Sequence, residues 1–216
     1  MLTVSNFIKS YSNGGSNGQP VLTIPNLHLP LGIHYFQGGN GSGKTTFFRT
    51  VAGLLPFSGE IRLNDQYEVN RDPEAYRLRV NYAEAEPLYP DFLSARDLAE
   101  FVGKAKQAPA GQLNALVDVL GVRAFWTQPT GTFSSGMLKK LSLLLALLGT
   151  PQLVLLDEPL TTLDVDTAAR LFDYVRQLHT DQGVSFLLTS HQDVSLTGLP
   201  ITSSWQVGKG KIVSVS

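Results

Sequence analysis

The sequence predicts an α/β protein built on a largely parallel sheet with helices on both faces. Three features point to it. The apolar segments "QLVLLD" and "VSFLLTS" are hydrophobic at successive positions, as strands buried on both faces must be. A segment of helical period, "VDTAARLFDYVRQLHTD", lies between them. A glycine-rich stretch, "GGNGSGKTT", joins a strand to a helix further upstream. Strands that alternate with helices in this way form parallel sheets rather than sandwiches.

The elements follow in order. Alternating apolar residues in "LTVSNFIKSY", "VLTIPNLHL" and "GIHYFQGG" predict strands, the first two separated by a Gly/Ser/Asn loop from Ser12 to Gly18. The helix "TTFFRTVAGLL" opens from the glycine-rich stretch, and strands follow at "EIRLND" and "RVNYAEA". Between Pro90 and Pro129 the pattern turns helical, in "SARDLAEFVGKAK" and "GQLNALVDVLGV", and interrupts the α/β alternation as a candidate subdomain. An apolar helix runs from "FSSGM" into the strand, helix and strand already quoted, and "SWQVGKGKIVSVS" reads as a hairpin turning at Gly208–Gly210. The chain is thus read as one domain in four parts: an N-terminal β region (1–37), a core around the glycine-rich loop (38–89), a helical subdomain (90–133) and a core section ending in the hairpin (134–216).

The 216 residues suit one such domain, and 43% hydrophobic against 16% charged residues is ample for a core. With 17 basic and 18 acidic residues the formal charge is −1, which argues against a dedicated nucleic-acid binder. The absence of cysteine excludes disulfides and thiolate metal sites. The longest apolar run, "LSLLLALLG", is too short to span a membrane, and "MLTVSNFIKSYSNGG" lacks the pattern of a secretion signal. The expectation is a protein that acts in water on the cytoplasmic side.

Gly38 to Thr45 match the pattern GxxxxGK[ST], between a strand and a helix as the motif requires. Glycines allow consecutive backbone N–H groups to converge on phosphate oxygens. The candidate phosphate binders are Gly38, Gly39, Asn40, Gly41, Ser42, Gly43, Lys44, Thr45 and Thr46, with Lys44 a point charge at the β and γ phosphates and Thr45 a Mg²⁺ ligand. The strand in "LVLLDEP" delivers Asp157 to its C-terminal end, where it would hold the Mg²⁺ hydration shell, and places Glu158 to orient or deprotonate an attacking water. In "TGTFSSGMLKKLSLLLALLG" small polar residues precede an apolar helix with no acid in its first turn, a further seat for an anion. The plain reading of Ser134 or Ser135 is a helix N-cap, and that of Asp164 or Asp166 the start of the helix after "TTLD".

With these motifs, "TTLD" and "TSH" in order, the chain resembles the ATP-binding subunits of ABC transporters over nearly all its length. The family signature LSGGQ is replaced here by "FSSGM". The resemblance implies a P-loop NTPase core that hydrolyses ATP to ADP and phosphate with Mg²⁺, in a head-to-tail dimer of two copies. Ser134, Ser135 and Gly136 would then hold the phosphate bound by the partner, and Asp164 would belong to the loop through which the copies sense each other. His191 matches the family histidine that contacts the γ-phosphate and the water, whereas His28, His34 and His179 read as structural or solvated. Tyr11, at the end of the first strand, matches the aromatic that stacks on adenine. The family normally supplies a Gln after the strand "RVNYA", but "YAEAEPLYPDF" has none. Glu84 or Glu86 could replace it as an oxygen ligand, with Glu84 taken as the metal ligand, or Ala85 falls on the position. The resemblance further implies an integral membrane permease as partner and a location on the inner face of the cell membrane. The alternative is a soluble ATPase of the same type, serving iron–sulfur assembly or acting on DNA or ribosomes.

Overall fold

The computed structural model describes residues 1–11, 20–190 and 198–215. The predicted loop from Ser12 to Gly18 and His191 lie outside them. In chain order the first half contains β1 (Leu2–Lys9), β2 (Leu22–Leu29), β3 (Ile33–Gln37), α1 (Lys44–Val51), β4 (Ser58–Leu63), β5 (Tyr67–Glu68), α2 (Pro73–Arg79) and β6 (Val80–Ala83). Then come α3 (Ala95–Ala105), α4 (Gln112–Val119), two 3₁₀ turns (Val122–Phe125 and Thr130–Thr132) and α5 (Ser135–Ala146). The chain continues with β7 (Leu153–Leu156), α6 (Val165–Gln182), β8 (Ser185–Thr189), β9 (Ile201–Gly208) and β10 (Lys211–Val215).

The strands form two sheets. One runs β10-β9-β3-β8-β7-β6, parallel from β9 to β6 with β10 folded back antiparallel. The other, β2-β1-β4-β5, is antiparallel. This is the expected α/β architecture, with a mostly parallel sheet, an N-terminal antiparallel β unit and an inserted helical segment.

Strand β7 shows how sequence dictates layering. All four of its residues are fully buried, and they divide by parity: Leu153 and Leu155 face one core, Val154 and Leu156 the other. Side chains of a strand alternate between faces, so only a sheet covered on both sides accepts four consecutive aliphatics. Burying each of them is worth about 1.5–3 kcal/mol relative to exposure. The first core lies between the two sheets and is filled by α1, whose Phe47 and Phe48 pack against Phe36 and, for Phe47, against Phe7. The second lies under α3 to α6.

Two boundaries differ from the sequence reading. Helix α1 stops at Val51 rather than running through "AGLL", because Gly53 takes φ 72, a left-handed conformation that ends the turn. Arg79 closes α2, an element whose seven residues show no clear period; it is started by Pro73 and anchored by the buried Tyr76, whose hydroxyl donates to the Val51 carbonyl at 2.8 Å.

The three described histidines behave as structural or solvated groups. His34 is fully buried on β3, with Nε2 at 2.8 Å from the Pro30 carbonyl and Nδ1 at 2.7 Å from Ser203 Oγ. A carbonyl only accepts, so Nε2 carries the proton and Nδ1 accepts from the serine. His179 Nδ1 donates to the Val184 carbonyl at 2.9 Å, and His28 Nδ1 lies 3.3 Å from Thr3 Oγ1. Burial holds the His34 pKa below its ordinary 6.5. The unfolded chain therefore takes up a proton that the folded chain resists, and stability falls as pH drops below that value. Urea titrations at about pH 7.5 and about pH 5.5 should show a larger loss of stability on acidification in the natural protein than in His34→Gln; equal losses would assign the acid sensitivity to other groups.

Candidate active site

The glycine-rich loop runs from the end of β3 to the start of α1. Gly43 is the N-cap at φ 106, a conformation closed to ordinary side chains, and it turns the chain so that α1 starts at Lys44. The first turn of α1 holds no acidic residue, so its positive dipole end is free for an anion. Lys44 is drawn in, with Nζ donating to the Gly38 carbonyl at 2.7 Å and the Gly39 carbonyl at 3.3 Å. Ser42 Oγ is buried and has no hydrogen-bond partner among the described residues. A loop with an inward amine and an orphaned hydroxyl is built for oxygens that arrive with a ligand. Above it opens a cavity of about 780 Å³, lined by residues 40–46 and by Tyr11, Glu86, Glu158 and Thr161 among others.

The parallel register of β6, β7 and β8 brings their C-terminal ends side by side, Ala83 opposite Leu156 and Leu156 opposite Leu188. Asp157 follows directly and has no solvent exposure. Its Oδ1 accepts from the Thr189 hydroxyl at 2.6 Å and its Oδ2 from the Tyr82 hydroxyl at 3.1 Å. Burial, and then Asp157 itself, raises the Tyr82 pKa far above the phenolic range, so this hydroxyl stays a donor. Thr189 Oγ1 also accepts from the Glu158 N–H at 2.8 Å, which fixes the backbone on which Glu158 faces the cavity. Each Asp157 oxygen keeps lone pairs beyond these bonds. With the Thr45 hydroxyl at the cavity wall, the donor set suits a hard divalent cation completed by phosphate oxygens and water.

Helix α5 begins at Ser134, whose side chain accepts from the Met137 N–H at 3.3 Å and so is the N-cap. A Cβ on Gly136 would lie 2.9 Å from the Thr162 carbonyl, so only glycine allows the two loops to pack this closely. Asp164 caps α6 by accepting from the Thr167 N–H at 2.8 Å, and it pairs with Lys140 of α5 at 2.7 Å. Lys140, together with the Thr167 donors, holds the Asp164 carboxyl well below the usual carboxylate range. Glu158 at φ 49 and Thr162 at φ 66 are left-handed residues without glycine's freedom, a strain that gathers at functional loops.

A family model described as "ABC transporter" matches residues 26–161. The chain belongs to that family: it is an ABC nucleotide-binding domain. It is 37% identical over 176 residues to ATP-binding cassette sub-family A member 7 of Rattus norvegicus, a match covering 76% of this chain but only 8% of that protein. It is 31% identical over 180 residues to a cytochrome c biogenesis ATP-binding export protein of Legionella pneumophila (strain Lens), covering 82% of this chain and 88% of that one. Its fold is that of a dimeric ATP-binding cassette solved in a post-hydrolysis state with ADP and Pi, at a TM-score of 0.86 and 18% identity, covering 100% of this chain and 98% of that one.

Of the residues singled out from the sequence, Gly38, Gly39 and the fully buried Asp157 are not among those lining the main cavity of this ABC domain, and His191 lies outside the described residues. Tyr11, Asn40 to Thr46 and Glu158 meet around one cavity, with Tyr11 47% exposed and its hydroxyl 3.3 Å from Thr46 Oγ1. Ser134, Ser135, Gly136 and Asp164 are not among the residues lining it. Glu84 requires a correction: its carboxylate pairs with Arg49 at 2.9 Å and borders a separate cavity of about 220 Å³, while Ala85 and Glu86 are the residues of this segment that line the main one. The strand leaves β6 with alternating directions, and a one-residue difference in register moves a side chain to the other side.

Sequence reasoning missed Thr189, Tyr82 and Lys139. Lys139 is 1% exposed on α5, and its ammonium donates to the carbonyls of Glu84 (2.8 Å), Ala85 (3.1 Å) and Asp157 (2.8 Å). Burial pushes its pKa down to about 8 against the pull of Asp157, Glu158, Glu84 and Glu86. A signal existed: Lys139 shares a helical stripe with Ser142, Leu143 and Ala146, so the apolar helix carries one cation toward its own core. The ABC domain should lose roughly tenfold in turnover on Thr189→Val, with nucleotide affinity changed less than about twofold, because the valine keeps the shape and removes the hydroxyl that orients Asp157 and Glu158. Steady-state ATPase assays beside nucleotide titration measure both.

Proposed function

We propose that the protein is the ATP-binding and hydrolysing subunit of a transporter whose permease is a separate integral membrane protein, and that two copies close head to tail around two ATP molecules. The observation that carries this reading is the split of the motif residues. Lys44, Glu158 and the phosphate loop share one cavity, while Ser134, Ser135 and Gly136, a capped helix start without acidic residues, lie away from it. A helix start that does not face its own cavity is free to receive the γ-phosphate held by a second copy.

In this mechanism Tyr11 stacks on adenine, backbone N–H groups of residues 39–46 hold the phosphates, and Lys44 leaves its two carbonyl partners for the β and γ oxygens. Thr45 and Asp157 would hold Mg²⁺, which when bound supplies neutralising charge to the phosphates. Glu158 orients and deprotonates the attacking water, and His191 would contact the γ-phosphate and that water, as the family pattern implies. The seat at Ser134 to Gly136 of the partner closes over the phosphate, and the loop ending at Asp164 reports closure between the copies.

The permease reading draws on surface chemistry. No described helix is long and apolar enough to cross a membrane, and in this reading the permease supplies the membrane span. Leu88 and Phe92, 90% and 81% exposed, follow Glu86 closely in the chain, and Phe101 on α3 is 72% exposed. Large apolar side chains left exposed suit a docking role. The helical segment 90–133 would pass the motion of closure to that surface, on the inner face of the membrane. The relative of similar length is named for export in cytochrome c biogenesis, which fits a stand-alone subunit of this kind.

Two experiments test the reading. Glu158→Gln should bind ATP without turning it over and form dimers in ATP by light scattering; a variant that binds ATP yet stays monomeric would rule out the shared site. Purification of the tagged protein from detergent-solubilised membranes of its host should bring a polytopic membrane protein in near-equal amount. Soluble partners alone would favour the iron–sulfur type of ATPase and leave the nucleotide chemistry in place.

A further inference from the structure

We infer that Lys139 is a positioning residue for hydrolysis: its ammonium fastens the helix that starts at the Ser134–Gly136 seat to the strand ends that carry Asp157, Glu158 and the Ala85–Glu86 wall of the cavity. A phosphate gripped by the seat on one side then sets the carboxylates of this chain's own site on the other. The second half of this inference rests on the shared site proposed above.

The geometry carries it in three steps. An ammonium has three donors and no acceptor, and here three backbone carbonyls take all three: Glu84 and Ala85 after β6, and Asp157 after β7. One side chain thus joins two neighbouring strand ends at the residues where they turn into the cavity wall. The Asp157 carbonyl belongs to the peptide whose N–H, that of Glu158, is held from the opposite side by Thr189 Oγ1. That peptide plane is therefore gripped at both its polar atoms, one by α5 and one by β8.

Lys139 lies five residues beyond Ser134, which is about 7.5 Å along the helix axis. The rest of α5 is tied to the same strand: Ser142 Oγ accepts from the Glu84 N–H at 3.2 Å, and Asn81 Nδ2 donates to the Ala146 and Leu148 carbonyls at 2.8 Å each. A helix held to β6 along its length and to β7 at its first turns cannot shift at its start without moving the Asp157 peptide. An aliphatic side chain would fill the same space but take from three backbone carbonyls the donor they share, so turnover rather than stability separates a positioning role from a structural one.

The test compares Lys139→Met, which keeps the length and apolar packing of the stem but removes every donor, with Lys139→Gln, which keeps a shorter amide donor. Each full-length variant is assayed for kcat and KM with ATP and Mg²⁺ and for thermal stability. Each is also combined with Glu158→Gln to measure dimerisation in ATP. The expected result is a kcat lowered at least about tenfold in Lys139→Met and less in Lys139→Gln, with KM and ATP-driven dimerisation within about twofold of the parent proteins. Two results overturn the inference: a kcat within about twofold of the natural protein in both variants, or a fall in kcat matched by an equal loss of dimerisation, which would confine Lys139 to folding or to the seat. If Lys139→Met does not fold, Lys139→Gln carries the same comparison. Failure of the shared site itself is read separately, in Glu158→Gln with Lys139 intact. If that control binds ATP but stays monomeric, the relay between sites falls with the shared site. If it dimerises while the Lys139 variants keep full turnover, only the role of Lys139 falls.

Discussion

A carboxylate sealed from water has to be met by donors on every side, and meeting that demand at Asp157 governs the rest of this molecule. Thr189 and Tyr82 each give one hydrogen bond to it, from the strands on either side of its own. Those strands can deliver the two hydroxyls only if β6, β7 and β8 run in the same direction and end together, which the parallel register provides. Parallel strands in turn need crossovers, so the helices on both faces of the sheet follow from the same requirement. The unpaired alternative is severe: a buried charge without partners costs several kcal/mol, about as much as the net stability of a small domain.

The two cores divide the work around this centre. The core between the sheets carries a cluster of phenylalanines among its aliphatic residues, with α1 wedged in by Phe47 and Phe48, and it fixes the helix start at the glycine-rich loop. The core under α3 to α6 is mostly aliphatic, and it seats α5 and the loops around Gly136 and Asp164. In the first core the rings of Phe36, Phe47 and Phe48 meet at centroid distances of 5.6–6.3 Å, within the range where aromatic pairs add to area burial.

The fold was legible because its strongest signals are local. "LVLL" before Asp157 can only be a strand buried on both faces, and the glycine-rich loop announces both the strand before it and the helix after it. The capping of α5 by Ser134 and of α6 by Asp164 was readable for the same reason, since a cap acts within three residues. Helix α2 and strand β5 were not, being too short to show a period. The site was legible where a motif names its residues and illegible where a contact spans distant segments. Thr189 reaches Asp157 across 32 positions and Lys139 reaches Glu84 across 55, and no spacing rule links them. Glu84 was misplaced because the reading had two acidic residues two apart and no register to choose between them; Arg49 takes Glu84, and Glu86 is left to the cavity.

Glu158 sits in a left-handed backbone conformation that glycine or asparagine would adopt more comfortably, at a cost of about 1–3 kcal/mol. A library of variants selected for thermal stability alone would be drawn toward those residues at position 158. It would then accumulate proteins that melt later and that have discarded the carboxylate facing the cavity. With Glu158 in its proposed role, stability and turnover pull in opposite directions at this single residue, so a campaign to make the protein more robust would hold position 158 fixed and seek its gains elsewhere.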